Sequence, residues 1–311
     1  MEIEFSTKHM KLWECLSSST RVRMIELLRD KPMNLRELAD KLGISTAIIS
    51  RHVQQLELAG LLASDSAPGE RGRQKICRLL HDRITIVFRQ SAEVALDVGP
   101  IDEENVYGVS IPVGHYSNFQ VKPTCGLASS NKLIGMVDDP RYFADPEHVD
   151  AQHLWFASGF IEYRIPNYLI SKTKPVSLRV TLEIGSEAPG FNEEWPSDIE
   201  FSVNGIPVGK WTSPGDFGSS KGLLNPPWWG KGDSQHGSQK TLLVAEEGAF
   251  IDGVMISNVC ISDLGIQPGG EINFRITSSE AASHPGGVSL FGRQFGNYPH
   301  DIEVMIRYEP Y

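Results

Sequence analysis

The sequence predicts a two-domain α+β protein, in which a small and mainly helical domain precedes a larger all-β domain. Apolar residues recur at helical spacing over residues 34–62. Beyond residue 105, short β-branched stretches alternate with clusters of Gly, Pro, Asn and Asp. The length of 311 residues also favours two domains over one. We therefore predict a helical domain over residues 1–95, a linker over 96–104 and a β-sandwich over 105–311.

Residues 34–62 have the pattern of two helices joined by a tight turn. Leu38 and Leu42, with Leu35 and Ala39, give the first helix one apolar face. Gly43 follows directly and can end that helix with a positive φ angle. Ser45 then stands where the second helix needs an N-cap. This order of residues predicts a helix-turn-helix.

The second helix, predicted over residues 45–59, has a polar outer face. Ile49, Val53 and Leu56 are spaced to pack inward. The opposite face carries small or hydrogen-bonding side chains, as a helix lying in a DNA major groove requires. The predicted DNA contacts on this helix are Ser45, Thr46, Ala47, Ser50, Arg51, His52 and Gln54. Ile48 borders this face, where it either meets a thymine methyl group or is buried. The alternative reading is an ordinary helical hairpin with a solvated face.

A wing is predicted after the second helix. Residues 61–66 and 76–80 have strand composition and enclose a turn rich in Gly and Pro. Arg71, Arg73 and Lys75 alternate on the approach to the return strand, so they can point towards phosphates or a minor groove. The same alternation also occurs in solvated hairpins that bind nothing.

Residues 8–82 resemble the ArsR/SmtB-type winged-helix repressors. The resemblance rests on four stretches, which are residues 19–28, 35–39, 50–56 and 58–62. It implies a winged helix-turn-helix fold, a homodimer, an operator in double-stranded DNA and, by the default of the family, repression.

The sequence departs from the metal sensors of that family. Their paired cysteines precede the turn, because soft thiolates select soft metals, whereas residues 34–41 contain neither Cys nor His. Cys15, Cys77, Cys125 and Cys260 are scattered and form no ligand motif. We expect no metal and no cofactor, and we expect Cys15 and Cys77 to be buried thiols. Convergence of Cys125 with His115 or His153 in space stays open.

Charge divides the chain in the same way as the pattern of elements. Residues 1–95 hold 15 Lys and Arg against 12 Asp and Glu, and the remaining residues hold 14 against 27. Only the first part therefore has the sign that DNA phosphates attract. No apolar run is long enough to span a bilayer, and the N-terminus lacks the pattern of a signal peptide. We expect a cytoplasmic protein with no membrane contact.

The second domain shows the periodicity of strands with one buried face and one wet face. In residues 177–184, Leu178, Val180, Leu182 and Ile184 are predicted inward, and the intervening Ser, Arg, Thr and Glu outward. Asn-Gly at 204–205 predicts a tight hairpin turn. Strands are predicted over 106–113, 159–165, 176–184, 199–203, 241–244, 271–276 and 301–308. Many short strands with turn-rich loops favour a jelly roll. Periodicity does not decide whether residues 83–97 form a strand or a dimerisation helix.

A long loop over residues 211–236 is unusually aromatic. Loops of this length are uncommon unless they are functional or disordered, and tryptophans argue against disorder. An indole face can stack on the C–H face of a sugar while polar groups bind its hydroxyls. The candidate ligand residues are Trp211, Asp216, Asn225, Trp228, Trp229 and His236. The alternative is that the tryptophans plug the sandwich as core, and Trp155 and Trp195 share that ambiguity.

This second domain resembles, more loosely, the jelly-roll modules of carbohydrate-binding type that some bacterial regulators fuse to winged helices. The stretches concerned are residues 158–167, 211–218 and 290–301. With the first resemblance, this implies a DNA-binding transcriptional regulator whose β-sandwich senses a small molecule, with a carbohydrate as the favoured ligand. One alternative is a protein-interaction or oligomerisation platform that binds no ligand.

An enzyme is disfavoured. The adjacent carboxylates at 138–139 and 193–194 do not define an acid and a base placed across a bond. Nucleophile-elbow, phosphate-loop and zinc-protease motifs are absent from the sequence.

Overall fold

The computed structural model describes residues 2–69, 72–81, 84–87 and 105–310. The chain divides into two compact units, Met1–Glu93 and Val94–Tyr311. The linker predicted at 96–104 lies outside the described residues. So does most of the ambiguous segment 83–97, of which Thr85–Val87 is seen as a strand.

The first unit contains four helices and five short strands among its described residues. In chain order they are β1 (Glu2–Glu4), α1 (Met10–Leu16), α2 (Ser19–Asp30), β2 (Met33–Asn34), α3 (Leu35–Leu42), α4 (Thr46–Leu58), β3 (Leu62–Gly69), β4 (Gly72–Leu79) and β5 (Thr85–Val87). Strand β4 lies between β2 and β3 in an antiparallel sheet, and β1 pairs with β5 in parallel. The predicted winged helix-turn-helix is confirmed.

Local sequence chemistry sets the two ends of α3. Asn34 caps its N-terminus, where Oδ1 accepts hydrogen bonds from the amides of Arg36 and Glu37 at 2.9 Å each. Glu37 completes a capping box by accepting from the Asn34 amide at 2.7 Å. Gly43 ends the helix at φ 68°, a left-handed conformation that glycine adopts without steric cost.

The core of the first unit uses the apolar faces that the sequence predicts. Leu38 on α3 and Ile49, Val53 and Leu56 on α4 are fully buried. Cys15 and Cys77 lie in the same core as buried thiols. Burial raises the pKa of Cys77 to about 11, so this sulfur stays protonated and is unreactive near neutral pH. No helix in the described ranges is both long and apolar enough to cross a bilayer.

The second unit is built from strands and short 3₁₀ helices throughout its described part. Its strands are β6 (Val106–Ile111), β7 (Asn118–Ala128), β8 (Leu133–Ile134), β9 (His153–Ile165), β10 (Thr173–Gly185), β11 (Ser197–Val203), β12 (Ile206–Ser213), β13 (Ser238–Ala245), β14 (Gly248–Ile251), β15 (Val254–Ser257), β16 (Ile272–Ser278), β17 (Val288–Phe291) and β18 (Ile302–Pro310).

Two long strands organise this unit. Strand β9 pairs with β7 and β16, and β10 pairs with β13 and β18, while β17 joins β9 to β10. The hydrogen-bonded order is β12-β11-β16-β9-β17-β10-β13-β14-β15, and β18 also pairs with β6. The inward faces of these strands enclose one large apolar core. This all-β, sandwich-like architecture confirms the predicted fold class.

The predicted alternation holds in β10 except at one residue. Leu178, Val180, Leu182 and Ile184 are buried as expected, but Glu183 is buried too, although the pattern places it outward. Its carboxylate accepts hydrogen bonds from the backbone amides of Gly237, Asn297 and Tyr298, each at 2.9 Å. The expectation for Glu183 was wrong because loops cover this end of the strand and supply the donors that water would otherwise give.

Two strands next to the candidate sites were not predicted. Strand β7 contains Pro123 and Gly126, which interrupt a strand pattern. The four residues of β17 are all buried, so they show no alternation. The predicted hairpin at 203–206 is confirmed, since Asn204 and Gly205 both have positive φ angles, 51° and 79°.

Candidate DNA-binding surface and candidate ligand cavities

The N-terminus of α4 is capped and open to solvent. Ser45 has extended backbone angles (φ −69°, ψ 149°), and its Oγ accepts a hydrogen bond from the amide of Ile48 at 3.4 Å. Ser45, Thr46 and Ala47 are exposed. The unpaired amides of this first turn, and the positive end of the helix dipole, can hold a phosphate oxygen.

The outer face of α4 has the composition that base contact needs. Arg51 and Gln54 are exposed, and Ser50 is half-buried between them. Arg51 makes no hydrogen bond or ion pair with any other residue in the described ranges, so its guanidinium is free to bind an external acceptor such as guanine. Ile48 is 44% exposed, which favours the thymine contact over burial.

His52 differs from its neighbours on α4. It is half-buried, and burial together with the nearby positive charge of Arg21 lowers the pKa of its imidazole. The ring is therefore neutral at physiological pH. It can donate one hydrogen bond to DNA but adds no positive charge.

The two basic wing residues that the structure describes are in different situations. Arg73 is exposed and donates from Nε to Oγ of Ser66 at 2.9 Å. Lys75 forms an ion pair with Glu57 of α4, with Nζ and Oε2 separated by 3.0 Å. Lys75 thus links the wing to α4 through an ion pair, whereas the guanidinium of Arg73 is open to solvent. Arg71 lies outside the described residues.

In the second unit, Trp211 belongs to a strand, and the predicted loop 211–236 therefore starts too early. Trp211 pairs with Ile199 in the β11–β12 ladder. The ring is half-buried against the core, and Lys240 Nζ lies 4.9 Å from its centroid. Strand β12 continues to Ser213, which pairs with Ser197, so the loop begins only after Ser213.

Asp216 and Asn225 are buried and hold the loop together. Asp216 accepts hydrogen bonds from Ser234 Oγ at 2.8 Å and from the Ala188 amide at 3.1 Å. Asn225 donates to the carbonyl of Gln235 at 2.8 Å and accepts from the amide of Gly296 at 2.7 Å. Their polar atoms are used within the loop and between it and the neighbouring residues Ala188 and Gly296, which gives the loop a fixed shape.

The remaining loop candidates face three different surroundings. His236 stacks on Phe217, with ring centroids 5.3 Å apart. Trp229 is 9% exposed in an aromatic cluster with Trp155. Trp228 is 38% exposed, and its Nε1 donates to the carbonyl of Ser130 at 2.8 Å. The structure therefore brings the two adjacent indoles together but does not gather all six candidates around one space.

Ser130 lines a cavity of about 550 Å³, here called the polar cavity. Its other walls include the amides of Asn131, Gln152 and Gln294. Two ion pairs lie in its walls, since Lys132 meets Glu147 at 2.7 Å and Arg293 meets Asp301 at 2.5 Å, and Asp150 adds a further carboxylate. Trp228 is not one of the lining residues, and its indole is linked to the wall through the hydrogen bond to Ser130.

A second cavity of about 260 Å³, here called the tryptophan cavity, has Trp229 in its wall. It is lined by His153, Trp155, Glu187 and Trp229, and by the exposed Asp138 and Asp233, among others. Of these lining residues, sequence reasoning named only Trp229 as a ligand contact. The sequence pattern does not show that His153 and Glu187 are buried. Only their burial in the structure identifies them as candidate ligand contacts.

Cys125 and His153 do not form a metal site with a third ligand. Among the described residues, no three His, Cys, Asp or Glu side chains meet in an arrangement that would hold a metal ion. Burial, with smaller contributions from nearby carboxylates, raises the pKa of Cys125 to about 12, so its thiol is protonated.

Residues 18–64 match the helix-turn-helix model of the arsR family of bacterial regulatory proteins. They are 38% identical, over 56 residues, to an uncharacterized HTH-type transcriptional regulator of Methanocaldococcus jannaschii. That alignment covers 18% of this chain and 59% of the relative, so it reaches less than two thirds of the relative's length. The helix-turn-helix of the first unit is thus similar to that of the arsR family.

Two solved structures are similar in part. The homodimeric winged helix-turn-helix DNA-binding domain of a possible ArsR-family regulator from Mycobacterium bovis matches 24% of this chain and 64% of its own, at 18% identity and a TM-score of 0.21. A CBM36 domain of a multidomain xylanase from the hindgut metagenome of Trinervitermes trinervoides matches 65% of this chain and 96% of its own, at 8% identity and a TM-score of 0.27.

Proposed function

We propose that this protein is a DNA-binding transcriptional regulator that acts in the cytoplasm as a homodimeric repressor. The observation that carries this proposal is the exposed, uncommitted outer face of α4, which lies within the ArsR-family segment 18–64. Two such helices can enter successive major grooves of one operator when they are about one DNA turn, ~34 Å, apart. Ser45, Thr46, Ala47, Ser50, Arg51 and Gln54 would contact bases or phosphates there.

The DNA proposal is tested by measuring operator affinity. An operator is first selected from a randomised duplex pool with the full-length protein, and binding is then followed by fluorescence anisotropy at one fixed salt concentration. Arg51→Ala should weaken binding about 10-fold or more, because a bidentate contact to guanine is lost.

Arg29→Ala is the matched control. Arg29 lies on α2 with its side chain 76% exposed, so its loss should change operator affinity little. Unaltered melting curves would show that both variants fold. Equal affinity of Arg51→Ala and the parent protein would remove the assignment of α4 as the recognition helix.

We further propose that the β-sandwich unit senses a neutral carbohydrate in the polar cavity. The exposed ring of Trp228, fixed by its hydrogen bond to Ser130, supplies a stacking face. The amides of Asn131, Gln152 and Gln294 supply donors and acceptors for hydroxyl groups. The cavity volume of about 550 Å³ lies within the usual range for small-molecule sites and accommodates a sugar of one or two rings.

The sugar proposal is tested by a thermal-shift screen of the full-length protein against neutral mono- and disaccharides. Trp228→Ala should abolish the shift produced by any sugar that stabilises the protein. Trp195→Ala is the matched control, because Trp195 is also 38% exposed but, unlike Trp228, has no hydrogen bond to a residue of the polar cavity among the described residues. The bound sugar should also change operator affinity. A screen without a stabilising sugar, or a shift that persists in Trp228→Ala, would contradict the proposal.

A further inference from the structure

The tryptophan cavity has two indole walls set at a steep angle. The rings of Trp155 and Trp229 have centroids 5.9 Å apart and planes inclined at 66°, and each residue is only 9% exposed. Trp228 contacts Trp229 edge to face, with ring planes at 85°. Trp155 and Trp229 also meet edge to face, and the negative face of an indole that borders the cavity can attract a positively charged group.

The charged groups that line this cavity are all acidic. Glu187, Asp138 and Asp233 contribute to its walls, and no Lys or Arg is found among the described residues that line it. Glu187 is 6% exposed and accepts hydrogen bonds from Thr124 at 3.0 Å and Ser289 at 3.2 Å. Burial, and then the charge of nearby Asp216, raises the pKa of Glu187 well above its ordinary value. A raised pKa favours the neutral form of Glu187, so the negative charge at this cavity comes from Asp138 and Asp233. That charge favours a cation and opposes an anion.

His153 supplies an independent observation. It lines the same cavity, is 1% exposed, and has no hydrogen-bond partner for either ring nitrogen within the described part of the chain. Its ring stacks on Phe291 with centroids 4.3 Å apart, and burial lowers the pKa of the imidazole to about 3. A neutral imidazole offers one donor and one acceptor, and leaving both unused is costly in a buried place. A bound molecule with a polar N–H or O–H group would relieve that cost.

We propose that the tryptophan cavity binds a compact organic ammonium ion. The indoles of Trp155 and Trp229 would hold the cationic head, the carboxylates of Asp138 and Asp233 would balance its charge, and His153 would pair with a polar group of the ligand. A volume of about 260 Å³ is below the range of drug-sized pockets and limits the ligand to a compact molecule. This site is distinct from the polar cavity, with which it shares no lining residue.

The experiment uses matched pairs of probes that differ in charge and hardly in shape. Choline is compared with 3,3-dimethylbutan-1-ol, and ethanolamine with propan-1-ol, by titration calorimetry and tryptophan fluorescence on the full-length protein at pH 7.5. At least one ammonium probe should bind with 1:1 stoichiometry and roughly 10-fold or more tighter than its neutral partner, as expected for a desolvated cation–π contact. A neutral probe that binds equally well, or no binding by either ammonium probe, would overturn the proposal.

Variants locate the site. Asp233→Asn changes an exposed residue, and Glu187→Gln keeps a group that can accept from Thr124 and Ser289, so both should fold. Asp233→Asn should weaken ammonium binding at least about 5-fold by the loss of a countercharge. Glu187→Gln should weaken it much less, because burial favours the neutral form of the carboxyl that it replaces. Glu200→Gln, an exposed residue of β11 outside the cavity, is the matched control. Equal affinity of Asp233→Asn, Glu200→Gln and the parent protein would exclude this cavity.

Trp228→Ala separates this inference from the sugar proposal. It should remove sugar binding but leave a measurable affinity for the ammonium probe, since Trp228 does not line the tryptophan cavity. Loss of the sugar effect alone is therefore the result that both proposals predict. A sugar effect that persists in Trp228→Ala would contradict the sugar proposal, and loss of ammonium binding in this variant would contradict the placement of the ammonium site.

Discussion

Asp216 shows how a single buried carboxylate can act on stability rather than on binding. It is 1% exposed, and although Ser234 and Ala188 donate to it, burial raises the pKa of the carboxyl to about 6. The native state therefore binds this proton more tightly than the unfolded chain does. Stability from this group is complete below the ordinary pKa, and is lost as the pH rises through about 6.

Asp216→Asn should remove this pH dependence. An amide keeps an oxygen for the Ser234 and Ala188 donors but carries no charge at any pH. The variant should exceed the parent protein in free energy of unfolding at pH 8 by up to about 3 kcal/mol, and by much less at pH 4. Urea unfolding at the two pH values measures this, and an equal difference at both would contradict it. Glu187 acts in the same direction, so some slope should remain.

In the wing, two basic residues with equivalent positions in the sequence pattern differ in their ion pairing. Arg73 and Lys75 lie two residues apart on β4, so alternation places them on one face. Packing against α4 brings Glu57 to Lys75 and leaves Arg73 without a carboxylate partner among the described residues. A paired lysine must give up its partner before it can neutralise a phosphate, whereas the arginine does not.

This difference can be measured in the salt dependence of DNA binding. Each phosphate contact releases counterions and adds about 0.9 to the slope of log affinity against log salt concentration. Arg73→Gln should therefore lower the slope by about 1 per subunit. Lys75→Gln should lower it less, and should instead loosen the contact between wing and helix. Equal changes of slope in both variants would mean that the Lys75–Glu57 pair does not persist on DNA.

At the scale of the whole molecule, two units with separate cores carry opposite charge. Residues 1–95 hold 15 basic and 12 acidic residues, and the remaining chain holds 14 and 27. Each unit has its own cluster of buried apolar side chains. This difference in charge agrees with the two proposed functions. DNA phosphates attract the basic unit, and the acidic unit contains the cavity proposed to bind a cation.

The sequence determined the helix-turn-helix because its signals are local. The Gly43 stop, the Ser45 cap and the inward spacing of Ile49 and Val53 all act within a few residues, and each is present in the structure. The same holds for the Asn-Gly hairpin at 204–205. Patterns of this range also sufficed for the fold class of both units.

Only the tertiary structure decided which polar and aromatic side chains share a space. Glu183 was expected in solvent because its strand alternates, yet loops distant in sequence bury it and donate to it. Glu187 and His153 meet at one cavity although 34 residues separate them in the chain. Asp216 and Asn225, which resembled ligand contacts, use their hydrogen bonds within the loop and to Ala188 and Gly296 beside it. The burial of a side chain and its hydrogen-bond partners depend on packing between segments that are distant in sequence. Short-range periodicity does not predict them.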